Sequence, residues 1–371
     1  MAKKVLFMSH VANFQKFNRP FMRWFTEQEW SVHYASAEEE AVYDCDAHFQ
    51  VPFARSPWSK NNVLAYRQLK AIIDREHYDI IHTHTPVGSI VTRLAARDAR
   101  KEGTKVIYTA HGFHFFQGAP LINWLIYYPA EKIMSRYTDC LVTINEEDYQ
   151  NAKKKHFRAG SIKKIDGVGV NLKKFIPLEQ EQRNTIRSEL GFQEKDFLLI
   201  CVAEFIKRKN QRFLIHSMNK LIRQIPNCKL LLVGKGDLLE ECKQLCLDSS
   251  LENAVSFYGY REDVEKLCGA ADVLVAASYQ EGLAINIMEG MAVGLPVVCS
   301  NVRGQRDIIR DGVNGLIYET DDEDTFVAKI GILYGNQELR HKMSQDNIND
   351  VKKYSLDRAI ENMADIYKEF M

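Results

Sequence analysis

Two glutamates, Glu281 and Glu289, stand eight residues apart in YQEGLAINIMEG, and each is followed directly by a glycine. The segment between them is mostly apolar, so the carboxylates at its ends call for a chemical reason. Eight residues of helix rotate a side chain by only ~80°, so both carboxylates can address one side, ~12 Å apart if the whole span is helical. That is too far for two acids sharing one bond, but it suits an extended ligand held at both ends. A carboxylate accepting from a ribose diol is one such use. Glu281-Gly282 reads as a turn after the run ADVLVAAS, with a helix opening near Leu283. The amides of that first turn form an anion site. The plainer alternative is one acid favoured by the helix dipole and one acid in an ordinary ion pair.

Cations occur at another such junction. FLLICVAE is followed by FIKRKNQ, which places Lys207, Arg208 and Lys209 at the start of the next helix, a setting for phosphate. CKLLLVG runs into Gly234-Lys235-Gly236-Asp237, a turn that lets a ligand approach the backbone at Gly236. It is not G-x-G-x-x-G, because Leu239 stands where the third glycine would be, and no P-loop motif occurs. In the N-terminal half, His111 follows KVIYTA and His84 follows DIIHT. An imidazole at a strand end can exchange hydrogen bonds with a sugar hydroxyl or a phosphate near neutral pH. The competing reading of each histidine is a satisfied core residue.

The elements that carry these residues alternate along the chain. Apolar runs at 4–9, 79–84, 105–111, 140–145, 197–204, 228–234, 271–278 and 296–300 are separated by helix-length segments at 62–77, 87–102, 146–156, 209–224, 236–249 and 322–334. Such an order indicates parallel sheets covered on both faces, with ligands beyond the carboxyl ends of the strands. The pattern breaks near 172–195, which is polar, contains Pro177 and reads as a linker and short helix. The expected architecture is therefore α/β: Rossmann-like domains over 1–172 and 173–354 with a cleft between them, and a last helix in 355–371 returning to the first domain.

The chain's 371 residues exceed one ordinary core, and its 46% hydrophobic and 26% charged content is that of a globular protein. No apolar run reaches the ~18–20 residues of a membrane helix. MAKKVLFMSH reads as a first strand, not a signal peptide. Eight scattered cysteines without a C-x-x-C pair read as reduced thiols. The net charge is zero, but residues 1–172 hold 23 basic against 18 acidic residues. That excess suits an anionic surface or ligand and is too small for nucleic acid.

With these residues in view, EGLAINIMEGMAVGLPVV resembles the E-x7-E segment of retaining two-Rossmann (GT-B) glycosyltransferases of family four. TAHGFHF, INEEDY, GVGVNLKKF, LLLVGKGD, FYGYREDV and DGVNGLIY follow in that family's order, and TAHGFHFF with YTDCLVTINEEDY resembles bacterial enzymes of capsule and exopolysaccharide assembly. The resemblance implies a nucleotide-sugar donor, UDP-linked and of N-acetylhexosamine type among the options, held by the second domain. It implies that Lys209 neutralises the pyrophosphate and that Glu289 binds the ribose. Glu281, Gly282 and Leu283 would surround the donor sugar and its phosphate, Tyr260 would lie at the base, and His111 near the transferred sugar. No covalent nucleophile, metal or cofactor is then required, because Lys209 and helix N-termini stabilise the leaving diphosphate. Asp44-Cys45-Asp46 formally spells a D-x-D metal motif of another fold and is read as incidental.

The chain departs from the family pattern in three places. The loop SHVANFQKFNRP lacks the usual glycine pair, although Arg19 could contribute charge on the acceptor side, as could His84. Glu204 stands where relatives carry arginine, a loss that Arg208 could cover. Asn171 replaces an aspartate. KKKHFRAGSIKK (153–164), with six basic residues and no acid, and LINWLIYY (121–128) could together dock on an anionic bilayer and reach a polyprenyl-diphosphate-linked saccharide. The alternative is a solvated basic turn and a core helix, and for 121–128 the core is favoured. The expected location is cytoplasmic, with peripheral contact at the inner membrane face. Competing functions are a UDP-sugar 2-epimerase-like enzyme and a non-catalytic nucleotide-sugar-binding protein.

Overall fold

A computed structural model describes residues 2–371. The chain forms two compact units, one comprising residues up to Val168 with Asp357–Met371 and the other Gly169–Leu356.

The first unit is built on seven parallel strands: β1 (Lys4–Met8), β2 (Ser31–Ser36), β3 (Ala47–Gln50), β4 (Ile80–Thr83), β5 (Lys105–Ala110), β6 (Cys140–Thr143) and β7 (Ser161–Lys164). Their order is β3-β2-β1-β4-β5-β6-β7. Val5, Leu6, Phe7 and Met8 are all fully buried, which explains why the first run is continuously apolar: helices cover both faces of the strand. The helix Leu356–Lys368 completes this unit, its Tyr367 fully buried against Trp24 and Phe25.

The second unit has six parallel strands: β8 (Phe197–Val202), β9 (Cys228–Val233), β10 (Val255–Gly259), β11 (Val273–Ala276), β12 (Val297–Ser300) and β13 (Gly315–Tyr318). Their order is β10-β9-β8-β11-β12-β13. Both sheets reverse direction next to their first strand, at β1/β4 and β8/β11. Such a switch point opens a crevice at the carboxyl ends, the usual ligand position of these folds. The second unit's entry and exit are tied together, Val170 N–H donating to Tyr354 O and Leu356 N–H to Val170 O at 2.9 and 2.8 Å.

The helix Leu121–Met134 departs from the core expectation for 121–128. Leu121, Ile122 and Leu125 are 73, 56 and 64% exposed, while Trp124, Tyr127 and Tyr128 pack inward. The basic run is not one turn either. It spans a helix end, a loop and strand β7, where Lys163 pairs with Glu369 and Lys164 with Glu146. Among the described residues no helix is long and apolar enough to cross a membrane.

Candidate functional site

In the second unit several of the candidate side chains gather at the β8/β11 switch point. After β8 the chain makes a short 3-10 turn, Lys207–Lys209, before the helix Gln211–Gln224. The turn ends on Asn210 in left-handed conformation (φ 56°), which an asparagine tolerates. After β11 comes Glu281, only 5% exposed. Lys209 Nζ lies 2.5 Å from Glu281 Oε1, Ser278 Oγ donates to the same oxygen at 2.7 Å, and Arg208 donates to Oε2 at 3.3 Å. Burial alone would raise the Glu281 carboxyl, but the Lys209 ammonium and the Arg208 guanidinium outweigh it and hold the group below its usual range. The anion of this site is thus already present as a side chain, and the two cations are aimed by it.

Arg303, buried after β12, donates to the Glu281 carbonyl at 3.1 Å. Sequence reasoning missed Arg303 and Ser278. Their position just past strand ends, in VRGQRD and AASYQ, was the available signal. Gly282 and Leu283 form the turn before the helix Ile285–Ala292, whose N-cap Ala284 offers no side-chain cap to the first amides. The helix starts two residues later than expected, and Glu289 lies in it, half-buried, one turn in.

Gly236 packs closely on the loop that follows β8. A Cβ there would stand 2.5 Å from Phe205 O, so its glycine is required by the chain's own backbone. The turn carrying Gly236 holds the loop before Lys209, through Phe205 N–H to Lys235 O and Leu238 N–H to Phe205 O. Tyr260 is 65% exposed, with Lys235 Nζ 5.4 Å from its ring centre.

In the first unit, three histidines cluster at the ends of β4 and β5, His82 within β4 and His84 and His111 just past the strands. His111 Nε2 and His84 Nδ1 are 3.0 Å apart. His82, fully buried, bonds the Tyr367 hydroxyl at 2.7 Å and Thr109 Oγ1 at 2.8 Å. Burial pushes His111 down to about 4 and His82 to about 3, so both rings are neutral at neutral pH. His84 is 2% exposed. Of the two acceptor-side candidates, His84 is thus buried and faces His111 through Nδ1. Arg19 is likewise engaged, 2.5 Å from Asp44, which Arg23 also approaches at 3.1 Å. Asp44 thus serves two guanidinium groups, those of Arg19 and Arg23. Asp46 accepts from Val32 N–H and Ser31 Oγ, so both carboxylates of the D-x-D triplet have structural partners.

Residues 182–350 match the family model of glycosyl transferases group 1, and residues 4–145 match that of glycosyl transferase 4-like proteins. The Bacillus subtilis (strain 168) protein named "Putative glycosyltransferase EpsD" is 44% identical over 372 residues, covering 100% of this chain and 98% of that protein. An Escherichia coli UDP-Gal:alpha-D-GlcNAc-diphosphoundecaprenol alpha-1,3-galactosyltransferase is 26% identical over 83% of this chain and 79% of its own length. Among solved structures, Anabaena HepE in complex with UDP and glucose superposes with a TM-score of 0.83 at 18% identity, over 99% of this chain and 100% of that one, a likeness of fold.

Proposed function

The chain belongs to the group 1 glycosyltransferases, of GT-B fold, and from that premise we propose that it moves a sugar from a UDP-linked donor to a lipid-linked saccharide in exopolysaccharide or related glycan assembly. The observation that carries this reading is the cation pair Lys209 and Arg208, held by buried Glu281 at the switch point of the second sheet. A donor diphosphate entering there meets two cations and an uncapped helix start. The negative charge that develops on the leaving diphosphate is then stabilised by groups already in place. Glu289 binds the ribose hydroxyls, Gly282 and Leu283 present their amides, and Tyr260 lies by the base. His111 hydrogen-bonds the transferred sugar. Transfer proceeds with retention, by attack from the face the diphosphate leaves, and needs no metal because the cations are side chains.

The UDP preference is supported by the E. coli relative's donor and by the ligands of the HepE complex. The acceptor class is supported by that relative's diphosphoundecaprenol substrate and by the exposed apolar face of Leu121–Met134. Exposed apolar side chains on one side of a helix suit a bilayer surface.

The test is titration of the purified protein with UDP, GDP, ADP and uridine, with EDTA present. UDP should bind, and Lys209→Ala should weaken UDP by about tenfold or more while leaving uridine unchanged. Equal loss for both would remove Lys209 from the phosphate site. Binding of UDP-sugars without turnover on any polyprenyl-diphosphate saccharide would leave a binding protein and not an enzyme.

A further inference from the structure

We infer that His84 is a positioning residue that fixes His111 as the Nδ1–H tautomer, so that His111 offers its ligand a hydrogen-bond donor and not a base. This rests on the reading that His111 meets substrate, and the tautomer itself can be tested without that reading.

The inference follows from where the protons can sit. A neutral imidazole has one N–H and one bare nitrogen. His84 Nδ1 and His111 Nε2, 3.0 Å apart, share a single proton between them. The other nitrogen of His84, Nε2, is enclosed and has no hydrogen-bond partner among the described residues. Packed against it are the His82 ring at 4.2 Å, Phe7 stacked at 6.3 Å and Phe14 at 5.6 Å between ring centres. An enclosed N–H without an acceptor is rarer in proteins than an under-satisfied acceptor. His84 therefore keeps its proton on Nδ1 and donates it to His111 Nε2. His111, neutral because it is buried, must then carry its own proton on Nδ1, the nitrogen left for a ligand. A hydrogen-bond acceptor, such as an oxygen lone pair of the substrate, can meet it there.

The surroundings hold this arrangement in place. Thr85 has a positive φ (45°, with ψ 129°), unusual for a β-branched residue, and its hydroxyl accepts from His10 N–H at 3.2 Å. His84 N–H donates to Met8 O at 2.9 Å. The His84 backbone N–H is thus tied to the end of β1 and the Thr85 hydroxyl to His10 just beyond it, while the enclosing His82, Phe7 and Phe14 rings leave the His84 imidazole little room to turn away from His111.

The test is long-range proton–nitrogen NMR of 15N-histidine-labelled full-length protein near pH 7, with His111→Asn identifying the His111 signals. The expected spectrum shows His111 protonated on Nδ1 and bare on Nε2. His84→Leu should shift His111 toward the Nε2–H form and lower turnover about tenfold with donor KM little changed. His84→Asn, whose amide nitrogen can occupy the Nδ1 position, should retain both the tautomer and most of the turnover. A wild-type His111 protonated on Nε2 overturns the inference, as does a tautomer unchanged in a folded His84→Leu. If His84→Leu does not fold, the wild-type spectrum alone decides. An Nδ1–H His111 in a protein that transfers no sugar would uphold the tautomer and reject the glycosyltransferase reading, so the two failures are distinguishable.

Discussion

At the scale of residues, Glu281 illustrates how a carboxylate is kept ionised in a nearly closed site. It has a lysine, an arginine and a serine hydroxyl on its two oxygens. Removing one member of such a buried pair strands the other's charge, which costs about 3 kcal/mol. Glu281→Gln should therefore lower the stability of the protein by about that amount at pH 7. Because the folded carboxyl is held below its ordinary value, its contribution is complete above the unfolded carboxylate pKa of about 4.3 and is lost as the pH falls through the lower folded value. The stability difference between wild type and Glu281→Gln, measured by urea unfolding, should shrink on acidification below about pH 4; a difference independent of pH would mean that Glu281 is not ionised. Lys209, Arg208 and Glu281 were readable in the sequence because each lies just past an apolar run. Their mutual engagement was not, since it joins positions 72 and 73 residues apart and spacing carries no record of that. The same holds for His84 and His111, each found as a strand-end histidine but not as a bonded pair.

At the scale of elements, the eight apolar runs all correspond to strands, whereas β2, β3, β7, β10 and β13 went unread. Four of those five are the edges of the two sheets. An edge strand is covered on fewer sides, so it admits polar residues, as in SIKK of β7 and AHFQ of β3, and the continuous apolar signal disappears. The helix Gln15–Glu27 was also passed over; Pro20 within it is an interior helix breaker by ordinary rules. The helix Leu121–Met134 was misjudged for the opposite reason, since its apolar composition suggested a core that only one side of it joins. Replacing Leu121, Ile122 and Leu125 together by serine should leave the melting temperature nearly unchanged, because the three are exposed. The same change should reduce sedimentation with vesicles rich in anionic lipid at least several-fold. Undiminished vesicle binding would assign membrane contact elsewhere.

At the scale of the whole molecule, the second unit is an uninterrupted stretch inserted into the first. Its ends are held side by side by the Val170–Tyr354 and Val170–Leu356 bonds, the geometry that permits insertion without disturbing the host. It contains its own complete sheet, two buried clusters on the sheet's faces, and all of Lys209, Arg208, Glu281 and Glu289. A fragment of residues 169–356 should accordingly fold alone and bind UDP within about tenfold of the intact protein, measured by circular dichroism and calorimetry. A fragment that folds but does not bind would place part of the nucleotide contact in the first unit.

The helix Leu356–Lys368 fills the groove of Trp24 and Phe25 and supplies the hydroxyl that satisfies His82. Consider this during translation. The ribosome delivers the first unit's seven strands early, yet their missing helix follows the entire second unit. At ~5–20 residues per second the nascent chain waits roughly 10–40 s with that groove open. The later-made unit can finish folding first, and the earlier-made one stays without its closing helix until synthesis has passed Tyr367. A polypeptide stalled or cleaved before that point leaves a complete second unit beside a first unit that lacks its last helix.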